Sequence, residues 1–116
     1  MCVRHILIQT ITLIKNHVHI LSISSICIVQ VVIYSKTYCP YCTRTKSLFQ
    51  SEFPDKNVKV FELDRMEEGS SIQSDLQEMT GQRTVPSVWV KGNFVGGNDD
   101  TMALFRSGNL SEMLSV

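Results

Sequence analysis

Four apolar residues, Val31-Val32-Ile33-Tyr34, lead through Ser35-Lys36-Thr37-Tyr38 into Cys39-Pro40-Tyr41-Cys42, a junction that admits few arrangements. The β-branched run predicts a strand, and Pro40 suits the first helical position, where its missing N–H costs nothing. Cys39 then lies at a helix N-terminus, where backbone N–H groups and the helix dipole favour a thiolate. Cys42 follows three residues later on the same helical face, so the two sulfurs can close and reopen a disulfide. Cys39 is the candidate nucleophile and Cys42 the candidate resolving thiol.

Plainer readings of a CxxC pair are half of a zinc site or a structural disulfide. A four-thiolate zinc site wants a second CxxC, and Cys2 and Cys27 are not so spaced. A disulfide across four residues closes too small a loop to stabilise much, which favours redox exchange. His5, His17 and His19 lack companion carboxylates or thiols, so no metal is expected.

With 116 residues the chain is expected to form one domain, and its zero formal net charge gives no global pull toward nucleic acid or an anionic membrane. Four cysteines with one close pair do not form a secreted disulfide framework, so a reducing, cytoplasmic setting is expected. Every Asp and Glu lies at or beyond Glu52. The acid-poor start makes organelle targeting the alternative localisation.

Residues 1–28 read as an N-terminal helical or leader segment and 29–116 as the domain. Leu7, Ile11, Ile14, Val18 and Leu21 share one helical face. The apolar stretch Val18 to Tyr34 is interrupted by His19, Ser22, Ser24, Ser25 and Gln30, and its end is needed as the strand before Cys39, so it is not read as a membrane span. Further on, the pattern predicts a helix from Pro40 to about Gln50, a strand over Val58 to Asp64, and a helix after a Gly69-Ser70 turn that ends at Gly81. A hairpin follows, with arms Ser87–Val90 and Phe94-Val95 around Lys91-Gly92-Asn93. The last elements are a helix from about Asp99 to Ser107 and a short turn or two over Leu110 to Leu114. The order α-β-α-β-α-β-β-α predicts an α/β fold whose mixed four-stranded sheet has helices on both faces.

Three motifs carry a resemblance: Ser35-Lys36-Thr37-Tyr38-Cys39-Pro40-Tyr41-Cys42, Gly81-Gln82-Arg83-Thr84-Val85-Pro86 and Gly96-Gly97-Asn98-Asp99-Asp100. In this order and spacing the chain resembles dithiol glutaredoxins over roughly Val31 to Leu114. The resemblance implies a thioredoxin-like fold. It also implies a thioltransferase that uses glutathione as co-substrate, with no tightly bound cofactor, to reduce protein disulfides and glutathione-protein mixed disulfides. Its partners are then glutathione and disulfide-containing or glutathionylated proteins, with no nucleic acid or membrane, and the chain is expected to be a monomer.

Each motif also has a reading of its own. Lys36, three residues before Cys39, can favour the thiolate and meet a glutathione carboxylate, or it can be a solvated lysine. Tyr41 can wall the thiol pocket or simply pack. Pro86 at a strand start is awkward for a continuing ladder. A cis Pro86, as the resemblance implies, leaves the Val85 backbone free to pair with a peptide-like ligand, with Thr84 beside it. Gly97 permits close backbone approach, and the helix opening at Asn98-Asp99-Asp100 can hold a carboxylate or be merely capped. The resemblance assigns Asp99 and Asp100 to the γ-glutamyl end and Gln73, otherwise an exposed glutamine, to the glycine carboxylate. An iron-sulfur cluster between two protomers is the competing reading, disfavoured by Pro40. A thioredoxin would carry Gly-Pro between the cysteines.

Overall fold

β1 (Val31–Ser35) lies inside the sheet because both of its edges are paired: parallel to β2 (Val58–Glu62) and antiparallel to β3 (Ser87–Val90). β4 (Asn93–Gly96) completes the order β2-β1-β3-β4 by pairing with β3. These strands belong to a computed structural model that describes residues 29–115. The expected N-terminal helix or leader, with Cys2, Cys27 and the three histidines, falls outside the described residues. A parallel pair needs a crossover, which here is α1 (Pro40–Glu52). A 3₁₀ turn (Leu63–Arg65) and α2 (Gly69–Thr80) join β2 to β3, and α3 (Asn98–Ser107) and α4 (Asn109–Leu114) close the chain.

The two-residue period of the strands builds two cores. Val31, Ile33, Val88 and Val90 pack with Leu48, Phe49 and Phe53 of α1 and Leu110 and Leu114 of α4. On the other face Tyr34, Phe61 and Trp89 pack with Leu63 and with Ile72 and Leu76 of α2. Helices therefore cover both faces of a mixed four-stranded sheet, the predicted thioredoxin-like plan. Among the described residues no helix is long and apolar enough to cross a membrane, and Val31 to Tyr34 form the strand the sequence requires.

Three boundaries differ from expectation: the end of β2, the hairpin loop, and the start of α2, where the expected Gly69-Ser70 turn is already helix. β2 stops at Glu62, because its ladder partner β1 ends at Ser35, paired with Glu62; Leu63 to Asp64, expected as strand, enter the 3₁₀ turn. The hairpin loop is the two-residue turn Lys91-Gly92, both with positive φ (50° and 83°), so Asn93 is already strand, paired with Val90. Positive φ at both central residues matches the twist of a two-residue hairpin. Gly69 begins α2 where a Cβ would lie 1.9 Å from the Leu63 carbonyl oxygen, so only glycine lets this helix close on the 3₁₀ turn.

Candidate functional site

β1 ends at the middle of the sheet, and the three residues after it, Lys36 to Tyr38, deliver Cys39 to the start of α1. Cys39 is the N-cap, with extended backbone (φ −89°, ψ 117°), and the Cys42 amide donates to its Sγ at 3.3 Å. A sulfur in this position receives the N–H that would otherwise lack a partner in the first helical turn. That hydrogen bond strengthens when the acceptor is an anion. Pro40 occupies the first helical position, as expected.

The two free thiols differ in environment. Cys39 is half-buried, whereas Cys42 is fully buried. Burial pushes the Cys42 thiol up to about 11, although hydrogen bonds from the Lys36 backbone and the Ser35 side chain pull the other way. Cys42 therefore stays protonated at neutral pH.

The Cys39 thiol donates to the Val85 carbonyl at 3.8 Å. Val85 precedes Pro86 through a cis peptide bond, and the chain before β3 faces Cys39. The Val85 carbonyl, expected to be free for a ligand, is engaged by the protonated thiol; loss of that proton removes the donor and frees the oxygen.

Beside this contact lies a groove of about 330 Å³. It brings together Tyr41, Thr84, Val85, Pro86, Gly97, Asp99 and Asp100, all named from sequence, and adds Gln82 and Asn98. Gly96, at φ 119°, leaves no room for a Cβ, which would lie 2.3 Å from Asp100 Oδ2. Asp100 accepts the Gly97 amide at 3.4 Å, so it caps its own helix. Asp99 is exposed.

Lys36 and Gln73 do not line the groove. Lys36 is half-buried in the loop after β1, where its carbonyl accepts the Cys39 amide at 3.1 Å. Gln73 donates from Nε2 to the Arg83 carbonyl at 2.7 Å, and Arg83 in turn reaches Gln77 Oε1 at 3.2 Å. α2 thus braces the loop that carries Thr84 and Val85.

Two further contacts escape sequence reasoning. The Thr37 amide donates to Asp64 Oδ1 at 3.0 Å and its hydroxyl donates to Asp64 Oδ2, pinning the loop two residues before Cys39. These bonds, the hydroxyl foremost, hold the Asp64 carboxyl below the usual carboxylate range. The ends of parallel strands β1 and β2 lie side by side, and that adjacency was the available signal. The second contact is Thr45 Oγ1 donating to Asn98 Oδ1 at 2.9 Å, between buried residues of α1 and α3. Separated by 53 positions, this pair has no local sequence signature. A second groove, of about 350 Å³, lies between the end of α1 and β2 and is lined by no residue of the three motifs.

The family model described as Glutaredoxin matches residues 31–95. The chain is similar to Glutaredoxin-C8 of Oryza sativa subsp. japonica, 48% identical over 86 residues, which cover 74% of this chain and 63% of that protein. It is also similar to mitochondrial Glutaredoxin-2 of Bos taurus, 51% identical over 80 residues, covering 69% of this chain and 50% of that protein. The chain thus spans less than two thirds of either relative. Among solved structures, wheat glutaredoxin superposes with a TM-score of 0.75 at 40% identity, covering 89% of this chain and 91% of that one. A buckwheat glutaredoxin-glutathione complex superposes with a TM-score of 0.73 at 34% identity, covering 97% and 90%.

Proposed function

The chain belongs to the glutaredoxin family, and from that premise we propose that it is a glutathione-dependent thiol-disulfide oxidoreductase acting on glutathione-protein mixed disulfides and protein disulfides. The observation that carries this reading is Cys39 at the N-cap of α1, accepting the Cys42 amide and facing Val85 at the edge of the groove.

Cys39 thiolate attacks the glutathione sulfur of a mixed disulfide; the S–S bond to the client breaks, and the client leaves as a thiolate that takes up a proton. Glutathione is then bonded to Cys39. A second glutathione thiolate attacks that glutathione sulfur, releasing glutathione disulfide and restoring the Cys39 thiolate. With a protein disulfide, Cys39 thiolate attacks one client sulfur; the client S–S bond breaks, and its other sulfur leaves as a thiolate that takes up a proton. Cys42 then loses its proton and attacks Cys39, which frees the client dithiol and leaves a Cys39–Cys42 disulfide for two glutathiones to reduce. Burial keeps Cys42 protonated until that step.

The groove suits a tripeptide. The Val85 backbone offers strand-like pairing to the ligand's peptide groups. Asp99 offers a counter-charge to the γ-glutamyl ammonium, and the α3 N-terminus, capped by Asp100, offers N–H groups to its carboxylate. Lys36, with Gln73 behind the Arg83 loop, takes the glycine carboxylate in this reading. Tyr41, 52% exposed, forms the outer wall.

Glutathione-coupled turnover of a mixed-disulfide substrate tests the assignment. Cys39→Ser is expected to lose turnover altogether, while Cys42→Ser keeps deglutathionylation and loses protein-disulfide reduction. The opposite pattern exchanges the two roles.

A further inference from the structure

Next to the ligand groove, and sharing Asn98 and Asp99 with it, is a notch of about 290 Å³ completed by Arg44, Met102 and Arg106. Arg44 projects from α1 and Arg106 from the last turn of α3, so two helices contribute one guanidinium each. Among the described residues neither arginine is in an ion pair. Arg44 is also placed: its guanidinium lies 5.3 Å from the centre of the Tyr41 ring, a cation-π geometry that orders a side chain otherwise free to wander. Tyr41 itself walls the ligand groove.

We propose that Arg44 and Arg106 form a subsite for an acidic side chain of the client polypeptide, so that the protein prefers glutathionylated cysteines with Asp or Glu nearby. This rests on the oxidoreductase reading above. The one carboxylate in the notch is Asp99. When glutathione is seated, its ammonium neutralises Asp99 and leaves two guanidinium charges facing whatever covers the site. A client joined through its sulfur near Cys39 comes within reach of Tyr41 and Arg44, both exposed near the start of α1. Guanidinium groups pair with carboxylates through parallel hydrogen bonds, and exposed charges at the rim of a contact act on encounter and selection.

The test compares peptides carrying one glutathionylated cysteine flanked on both sides by Glu, Gln or Lys, assayed by kcat/KM at low and high salt. Wild type is expected to favour the Glu peptide over the Lys peptide by roughly three- to tenfold at low salt, with the preference fading as salt screens it. Arg44→Gln combined with Arg106→Gln is expected to abolish the preference while leaving turnover of the mixed disulfide of glutathione and β-mercaptoethanol unchanged. A preference that survives in the double variant, or is absent from wild type, overturns the subsite. A fall in turnover of the small substrate also overturns it, since the arginines then serve glutathione itself. If wild type turns over neither the peptides nor the small mixed disulfide, the oxidoreductase reading fails instead.

Discussion

At the scale of single residues, the same CxxC places one sulfur at a helix N-cap and the other in the core. The Cys42 thiol is raised by burial from 9.0 to about 11, so between these values the folded protein holds a proton that the unfolded chain has lost. Its contribution to stability is therefore complete below pH 9 and declines as pH rises toward 11. The buried Tyr34 phenol, also raised by burial, acts in the same direction above its ordinary 10.0. Denaturant midpoints between pH 8 and 10 are expected to fall for wild type and to fall less for Cys42→Ala; equal slopes contradict the assignment. Asp64 operates through Thr37. Removing both hydrogen bonds with Asp64→Ala is expected to lower kcat/KM for a glutathione mixed disulfide by roughly three- to tenfold, with Asp64→Asn intermediate because it retains an acceptor for the amide. Thermal denaturation distinguishes this from general weakening, since an exposed pair moves the midpoint little. Asp64's contribution is present above its ordinary pKa of 3.8 and is lost as pH falls through the lowered value.

Among elements, what matters is how α1 and α3 are held on one side of the groove while α2 braces the other. The buried Thr45–Asn98 hydrogen bond fixes the helix that opens at Cys39 against the helix that carries Asp99. Thr45→Val keeps the shape, removes the donor and leaves a buried amide oxygen unsatisfied, at a cost of about 1–3 kcal/mol. The expected kinetic result is a raised KM for the mixed disulfide with a smaller change in kcat, measured by steady-state turnover; a change confined to stability limits the pair to packing. Most elements were legible in the sequence because local signals and tertiary demands agree. Pro40 and the left-handed Gly81 and Gly108 mark helix ends as their residue types require. The end of β2 was not legible, because it is set by where the neighbouring strand runs out of partners. Asn93 was misplaced because Lys91, a residue that rarely adopts positive φ, supplies half of the two-residue turn.

For the molecule as a whole, the sheet does the assembling. It brings Cys39, the Val85-Pro86 turn and the Gly97–Asp100 corner, from three separate stretches, to one end of β1 and β3. Sequence motifs mark those stretches, and the groove joins nine of the residues they supply. Gln82 and Asn98, with no individual signature in sequence, complete its lining. What no motif conveys is the bracing around the groove: the Gln73-to-Arg83 bond, Asp64 on Thr37 and the Thr45–Asn98 bond are side-chain contacts between elements far apart in sequence. The central claim is that this assembly presents Cys39 to the glutathione sulfur and lets the client depart. Its most direct test is mass spectrometry of the Cys42→Ser protein after reaction with one equivalent of a glutathionylated peptide. Glutathione on Cys39 and free peptide thiol in solution are the predicted result; peptide bonded to Cys39, or an unmodified Cys39, contradicts the account.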